Sequence, residues 1–246
     1  MASVGAATQL YVMPPKGHWY CTNSRADSSV SRKAFMNNDR VERYQHMREI
    51  SKSYLSKLIS SERYPDVDPK RVGKLLGLYH HGKMIFESES EISVMMDFAI
   101  AEKLYYGKSL VDREIESNQN LNPDRRAILE AFRSGYTSLF EVIGANPPEH
   151  TVQLYDLLKD DDKEILDINL SRSITPSRLI FFRILSFDDF AMSSGAGFVY
   201  NSKLKDLLLR RYRAGIRTRF VMDKSITRFL IFHKLNREFG EELELV

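Results

Sequence analysis

Four groups of residues in this chain have the types, and nearly the spacing, to do chemistry. His80-His81, followed by Glu87, Glu89 and Glu91, carries the donor atoms of a metal site. Adjacent histidines diverge in an extended chain, and Glu91, three residues after Ser88, fits the second half of a capping box, so the segment reads as a turn and a helix N-terminus with no metal. Asp97 and Glu102, with Glu87 nearby, have the types of an acid–base pair. Spacing alone does not bring two carboxyls to one pocket, and acids on a helix rim are ordinarily solvated. Ser193-Ser-Gly-Ala-Gly197 has the small residues of a nucleophile or phosphate turn. It matches neither Gly-x-Ser-x-Gly nor a sequence ending in Gly-Lys-Ser/Thr, and it reads as a tight turn leaving a sheet. Cys21, the lone cysteine, has no visible activating partner. None of the four marks a catalytic residue, and no cofactor is expected.

A fifth group differs in weight. From Lys203 to Arg237 there are 11 Lys/Arg against only Asp206 and Asp223, a balance of +9 in 35 residues. Arginine predominates, which suits bidentate contacts to phosphate or carboxylate. The candidate polyanion-binding residues are Arg210, Arg211, Arg213, Arg217, Arg219, Lys224, Arg228 and Lys234, centred on the run from Arg210 to Arg219. Interleaved Tyr212, Phe220, Phe229 and Phe232 have faces that can stack on bases, although their helical spacing directs them toward a core. Four readings stay open: a nucleic-acid or ribonucleoprotein backbone, an acidic protein surface (including this chain's own middle), a membrane surface, and a merely solvated face.

The formal net charge of +3 conceals a segregation. Residues 1–79 carry 13 Lys/Arg against 7 Asp/Glu, and residues 203–246 carry 11 against 6, while residues 80–170 carry 9 against 18. Both ends are basic and the middle is acidic, so either the ends pack onto the middle or they meet an anionic partner.

The elements that must position these residues are legible from periodicity and turn chemistry. A helix from Asn38-Asp39 to about Ser61 shows Val41, Tyr44, Met47, Tyr54, Leu55 and Leu58 at three- and four-residue steps. Pro65 and Pro69 interrupt the chain before a short helix from Lys70 to Tyr79. The Ser88/Glu91 capping box opens a helix with Ile92, Met95, Met96, Ala99 and Ile100 on one face, ending near Gly107. Asn122 as cap, Pro123 at the first helical position and Gly135 beyond the end frame another. Strand character then takes over in Thr137–Ile143, Thr151–Leu158, Glu164–Ile168 and Leu179–Leu185, the last too continuously apolar for a half-exposed strand and therefore central in its sheet. Ser171–Ser177 reads as a polar connection, and Phe190–Ser193 as a last short strand. Beyond it, Ser202 caps a helix stopped by Gly215, and a second runs from about Thr218 or Ser225 to Phe239.

The order "YDLL", a polar turn, "LSRSITPSRLIFFRIL", then "SSGAGFVY", with the preceding "FESESEISVMMDFAI", resembles over residues 86–200 a group of uncharacterised bacterial proteins, some ending in a SecA-type zinc tail. The cysteines of that tail are absent here. The resemblance implies a fold neighbourhood and no activity.

The fold class expected is α+β: N-terminal helices, a small antiparallel β-sheet or partly open barrel, and C-terminal basic helices. The organisation is a flexible or strap-like extension over 1–38, a helical region over 39–135, a β module over 136–200 and a basic helical tail over 201–246. The extension lacks the apolar core of a secretory signal, and its single acid, Asp27, gives it a faint transit-peptide composition. A lone cysteine and no long apolar run fit a cytoplasmic protein. The function expected is a non-catalytic binding or adaptor protein touching nucleic acid or ribonucleoprotein through the basic C-terminal helices. The alternatives are a subunit or assembly factor docking on an acidic protein surface, and an enzyme whose site is scattered in sequence.

Overall fold

The structure, a computed structural model, describes the backbone of residues 25–218 and 223–241 and the side chains of residues 39–217 and 223–241. Cys21, Arg219 and Phe220 lie outside the described residues. Helix α1 (Arg25–Ile59) starts earlier than the Asn38-Asp39 opening expected, and from Asn37 onward it belongs to the same compact unit as every later element.

The helical half is α1, α2 (Pro69–Leu76), α3 (Ser90–Ala101), α4 (Leu110–Ser117) and α5 (Pro123–Ser134), with a two-residue hairpin, β1 (Tyr79–His80) and β2 (Lys83–Met84), between α2 and α3. Asp68 caps α2 through the Lys70 N–H, and Gly77 ends it in the left-handed conformation. The hairpin stops the helix short of Tyr79 because His81 and Gly82 take positive φ and turn the chain. Asn122 caps α5 with Pro123 just inside, as expected. Helix α4 was not anticipated, although its capping box is explicit: Ser109 Oγ accepts the Asp112 N–H, and Asp112 returns the bond to the Ser109 N–H.

The Ser88/Glu91 capping box does not form. Helix α3 begins at Ser90 without a side-chain cap, because the Glu91 carboxylate accepts the Glu87 N–H at 2.7 Å and also pairs with Arg237. Its buried face is Glu91, Val94, Asp97, Phe98, Ala99 and Ile100, whereas Ile92 is exposed. The helix stops at Ala101, and Gly107 belongs to a separate tight turn bridged by Tyr105 and Lys108.

The second half is a five-stranded antiparallel sheet of β3 (Tyr136–Asn146), β4 (Thr151–Asp156), β5 (Asp161–Leu166), β6 (Arg178–Ser186) and β7 (Ala191–Asn201), in the order β5-β4-β3-β6-β7. All four expected strands are present and paired, although Leu157-Leu158 already belong to the turn after β4 and Ile168 to a helix after β5, and the α+β class is correct. The sheet curls until its edge strands β5 and β7 come within 8 Å, Cα to Cα, without pairing, so it is not a closed barrel. Strand β6 has apolar neighbours on both faces. Ile180, Phe182 and Ile184 join Phe140, Val142, Val152, Leu154 and Ile165 on one side, closed by Leu170 and Ile174 of the segment between β5 and β6. Leu179, Phe181 and Leu185 join the helices on the other. Burying a side chain such as Phe181 stabilises the fold by about 2–3 kcal/mol, which is why an unbroken apolar run marks the central strand.

Two sequence expectations fail within this module. The stretch read as a polar connection contains a short helix, α6 (Ile168–Ser173), capped by Asp167. Strand β7 does not end at Ser193 but runs through Ser194-Gly-Ala-Gly197 to Asn201, because a bulge absorbs residues 194–196 opposite the single residue Arg183. Gly195 takes φ 92° there, and a Cβ on Gly197 would lie 2.8 Å from the Phe181 carbonyl oxygen, so the glycines serve strand pairing rather than a turn.

The chain closes with α7 (Lys205–Thr218) and α8 (Lys224–Phe239). Gly215 does not stop α7: it lies inside the helix where a Cβ would meet Ile231 Cδ1 at 2.6 Å, so its absence lets α7 approach α8 closely. Helix α8 is buried along most of its length, with Phe229 and Phe232 packed against Phe98, Phe181 and Phe198.

Candidate polyanion interface

The cationic C-terminal segment divides according to where its helices put the charges. At 100° per residue, Arg210, Arg213 and Arg217 fall on one face of α7, together with Asp206, the only acid of that helix. The opposite face holds Leu208, fully buried, with Leu204 and Tyr212 packed beside it, and the Tyr212 ring stacks on Phe232 at 5.5 Å. All three arginines are exposed and make no ion pair among the described residues. They span about 10 Å of helix. Arg211 is also exposed but turned about a third of the circumference away.

The α8 cations behave differently. Lys224 and Lys234 are exposed but on separate faces. Arg228 is half-buried, its Nε donating to Thr137 Oγ1 at 3.1 Å and its Nη2 to Ser225 Oγ. Arg237 is drawn inward to Glu91, with Nε–Oε1 2.8 Å, and to the Ile85 carbonyl oxygen. Lys205, at the start of α7, pairs with Glu141 at 2.6 Å. The aromatic residues that could stack on bases, Tyr212, Phe229 and Phe232, are all taken up in packing. Of the eight candidate residues, the structure brings together Arg210, Arg213 and Arg217, leaves Arg211, Lys224 and Lys234 outward but dispersed, and turns Arg228 in; Arg219 is outside the described residues.

The other clusters of chemical interest are enclosed. Asp97 and Glu102 do converge, but on Arg183 of β6: Nε–Asp97 Oδ2 is 3.1 Å and Nη2–Glu102 Oε1 is 2.6 Å, with all three side chains buried. Burial pushes the Asp97 carboxyl above the usual range against the opposing pull of Arg183. Sequence reasoning overlooked Arg183, although an arginine inside a run buried on both faces calls for buried carboxylates. Glu114 is also buried, accepting from Tyr54, Tyr64, Arg63 and Asn118. Burial acts to raise its carboxyl, but the Tyr64, Asn118 and Tyr54 bonds outweigh it and hold the group low. His80 Nε2 contacts the Gly77 carbonyl oxygen at 2.8 Å and His81 sits in the hairpin turn, so the pair does not converge with Glu91. Among the described residues no three His, Cys, Asp or Glu are arranged to hold a metal ion.

His233, 1% exposed, faces Glu91 across 3.6 Å with its Nε2 unpartnered, and the Phe198 ring lies beside it. Burial drives its pKa down to about 4, although Glu91 pulls the other way. It is therefore neutral at pH 7. No helix among the described residues is long and apolar enough to cross a membrane.

Residues 38–245 match a family of unknown function (DUF7986), and the chain belongs to it. The match covers the N-terminal helices and the basic C-terminal helices as well as the sheet. No curated protein and no solved structure matches the chain.

Proposed function

We propose that this member of the DUF7986 family is a non-catalytic binding protein whose outer α7 face docks on the phosphate backbone of a nucleic acid, free or within a ribonucleoprotein. The observation that carries the reading is the exposure of Arg210, Arg213 and Arg217 on one face with no carboxylate partner among the described residues, beside basic neighbours that do have partners. Three adjacent guanidinium groups repel one another weakly in water, and a row of phosphates relieves that repulsion while accepting bidentate bonds. Contacts of this kind position a protein without reading sequence, and the packing of Tyr212, Phe229 and Phe232 in the core favours backbone contact over base stacking.

The test is salt-dependent binding to nucleic acid followed by fluorescence anisotropy. Three phosphate contacts give a log–log slope of about −2 to −3. Arg210→Gln, Arg213→Gln and Arg217→Gln together should abolish most of that slope while leaving helix content unchanged, since Gln is also a good helix former. Binding that is absent, or unaffected by the triple substitution, overturns the reading. Retention of the native chain on an immobilised acidic protein, lost in the triple variant, then identifies an acidic protein surface as the partner.

A further inference from the structure

The buried centre under the β7 bulge holds one cation between two carboxyl groups. Arg183 comes from β6, Asp97 from α3 and Glu102 from the segment that follows α3, and none is more than 7% exposed. An unscreened second negative charge in such a place is costly, because the enclosing apolar groups cannot replace its hydration. The hydrogen bonding is also uneven. Glu102 takes the shorter contact to Arg183, while Asp97 Oδ1 is buried with no hydrogen-bond partner. Ser194 Oγ, in the bulge opposite Arg183, is likewise enclosed and unpartnered, and as a donor it would pull the Asp97 carboxyl down, against the burial that raises it. A serine hydroxyl carries its own proton and can donate or accept, so these two oxygens do not by themselves fix the charge; one cation facing two buried carboxyls does, and a neutral Asp97 then has Ser194 Oγ as its acceptor.

We infer that Asp97 is a neutral carboxylic acid that donates through its Oδ1 proton to Ser194 Oγ, leaving Arg183 and Glu102 as the only ion pair and making the centre uncharged overall. The proton joins the end of α3 to the β7 bulge, so the acid is a structural donor rather than a solvated rim charge. Burial, which raises the Asp97 carboxyl, acts in the same direction. The sign of the resulting pH effect follows. A carboxyl held above its unfolded value contributes stability that is complete below the unfolded pKa and is lost as pH rises through the folded one. The charged groups facing it are Arg183, which does not titrate in that range, and the Glu102 carboxylate across the same guanidinium.

The experiment is an infrared difference spectrum at neutral pH, native chain minus Asp97→Asn. A protonated-carboxyl C=O stretch that is present in the native chain and lost in Asp97→Asn is expected; no such band overturns the inference. Glu102→Gln leaves Asp97 as the sole counter-ion of Arg183 and should remove the band by ionising that acid; a band that persists there overturns the charge balance. If Asp97→Asn does not fold, Ser194→Ala keeps all three charged partners and should shift the band, because the acid loses its acceptor. An unmoved band in Ser194→Ala overturns the hydrogen bond.

Discussion

Helix α1 carries Arg40, Arg43 and Arg48, and α7 carries Arg210, Arg213 and Arg217, yet the two sets meet different surroundings. Arg40 reaches Glu164, Arg43 reaches Asp189, and Arg48 donates to Asp167 at 2.8 Å and to the Ser193 carbonyl oxygen at 2.6 Å, all on the sheet module. The α7 arginines reach solvent. Composition treats the two helices alike; topology separates them, because acids of the sheet lie beneath α1 while the inner side of α7 is given over to leucines and Tyr212. Much of the charge segregation along the chain is therefore internal complementarity. Among the described residues, the α7 face gathers three exposed arginines that make no ion pair.

That contrast can be broken or sharpened by removing charges at different depths. The largest effect should come from Arg183→Gln, which leaves Glu102 buried without its cation and should cost about 3–5 kcal/mol in urea unfolding; a loss under 1 kcal/mol would mean the centre is hydrated. Acid should come next. The depressed pKa of His233 contributes stability that is complete above its unfolded value of 6.5 and is lost as pH falls toward about 4, amounting to about 3 kcal/mol. Urea midpoints taken at several pH values through that window should fall steeply in the native chain and more gently in His233→Gln. Arg48→Gln removes charge-assisted bonds to Asp167 and Ser193 and should cost about 2 kcal/mol. The smallest effect belongs to the α7 triple Gln variant, whose urea midpoint should lie within about 0.5 kcal/mol of the native value. A larger loss would show that those arginines are structural and remove the contrast with α1.

The sheet was the most legible part of the chain, since alternation in Thr151–Asp156 and the unbroken run in Arg178–Ser186 reflect one-sided and two-sided burial directly. Helix caps were legible where nothing competed for the side chain, as at Asn122, and misleading at Glu91, whose carboxylate is claimed by Arg237 from the far end of the sequence. Gly195 and Gly197 were read as a turn and Gly215 as a helix stop, because a turn, a bulge and a close helix contact all call for the same residue. The exposed arginines of α7 were named from charge density, but their separation from Arg228 and Arg237 depends on long-range packing that local pattern does not contain.

The burial of α8 has a consequence for how the chain is made. Its aromatic side chains close a stack with Phe98, Phe181 and Phe198, and the Tyr200 hydroxyl donates to its Phe232 carbonyl oxygen at 2.8 Å. During synthesis at about 5–20 residues per second, α3 and strands β3, β6 and β7 emerge before the element that covers them. The nascent chain therefore exposes a broad aromatic surface for several seconds, and any stall in translation between β7 and α8 prolongs that window. Chaperone dependence in this protein should concentrate there, at a stage set by gene order rather than by the finished fold.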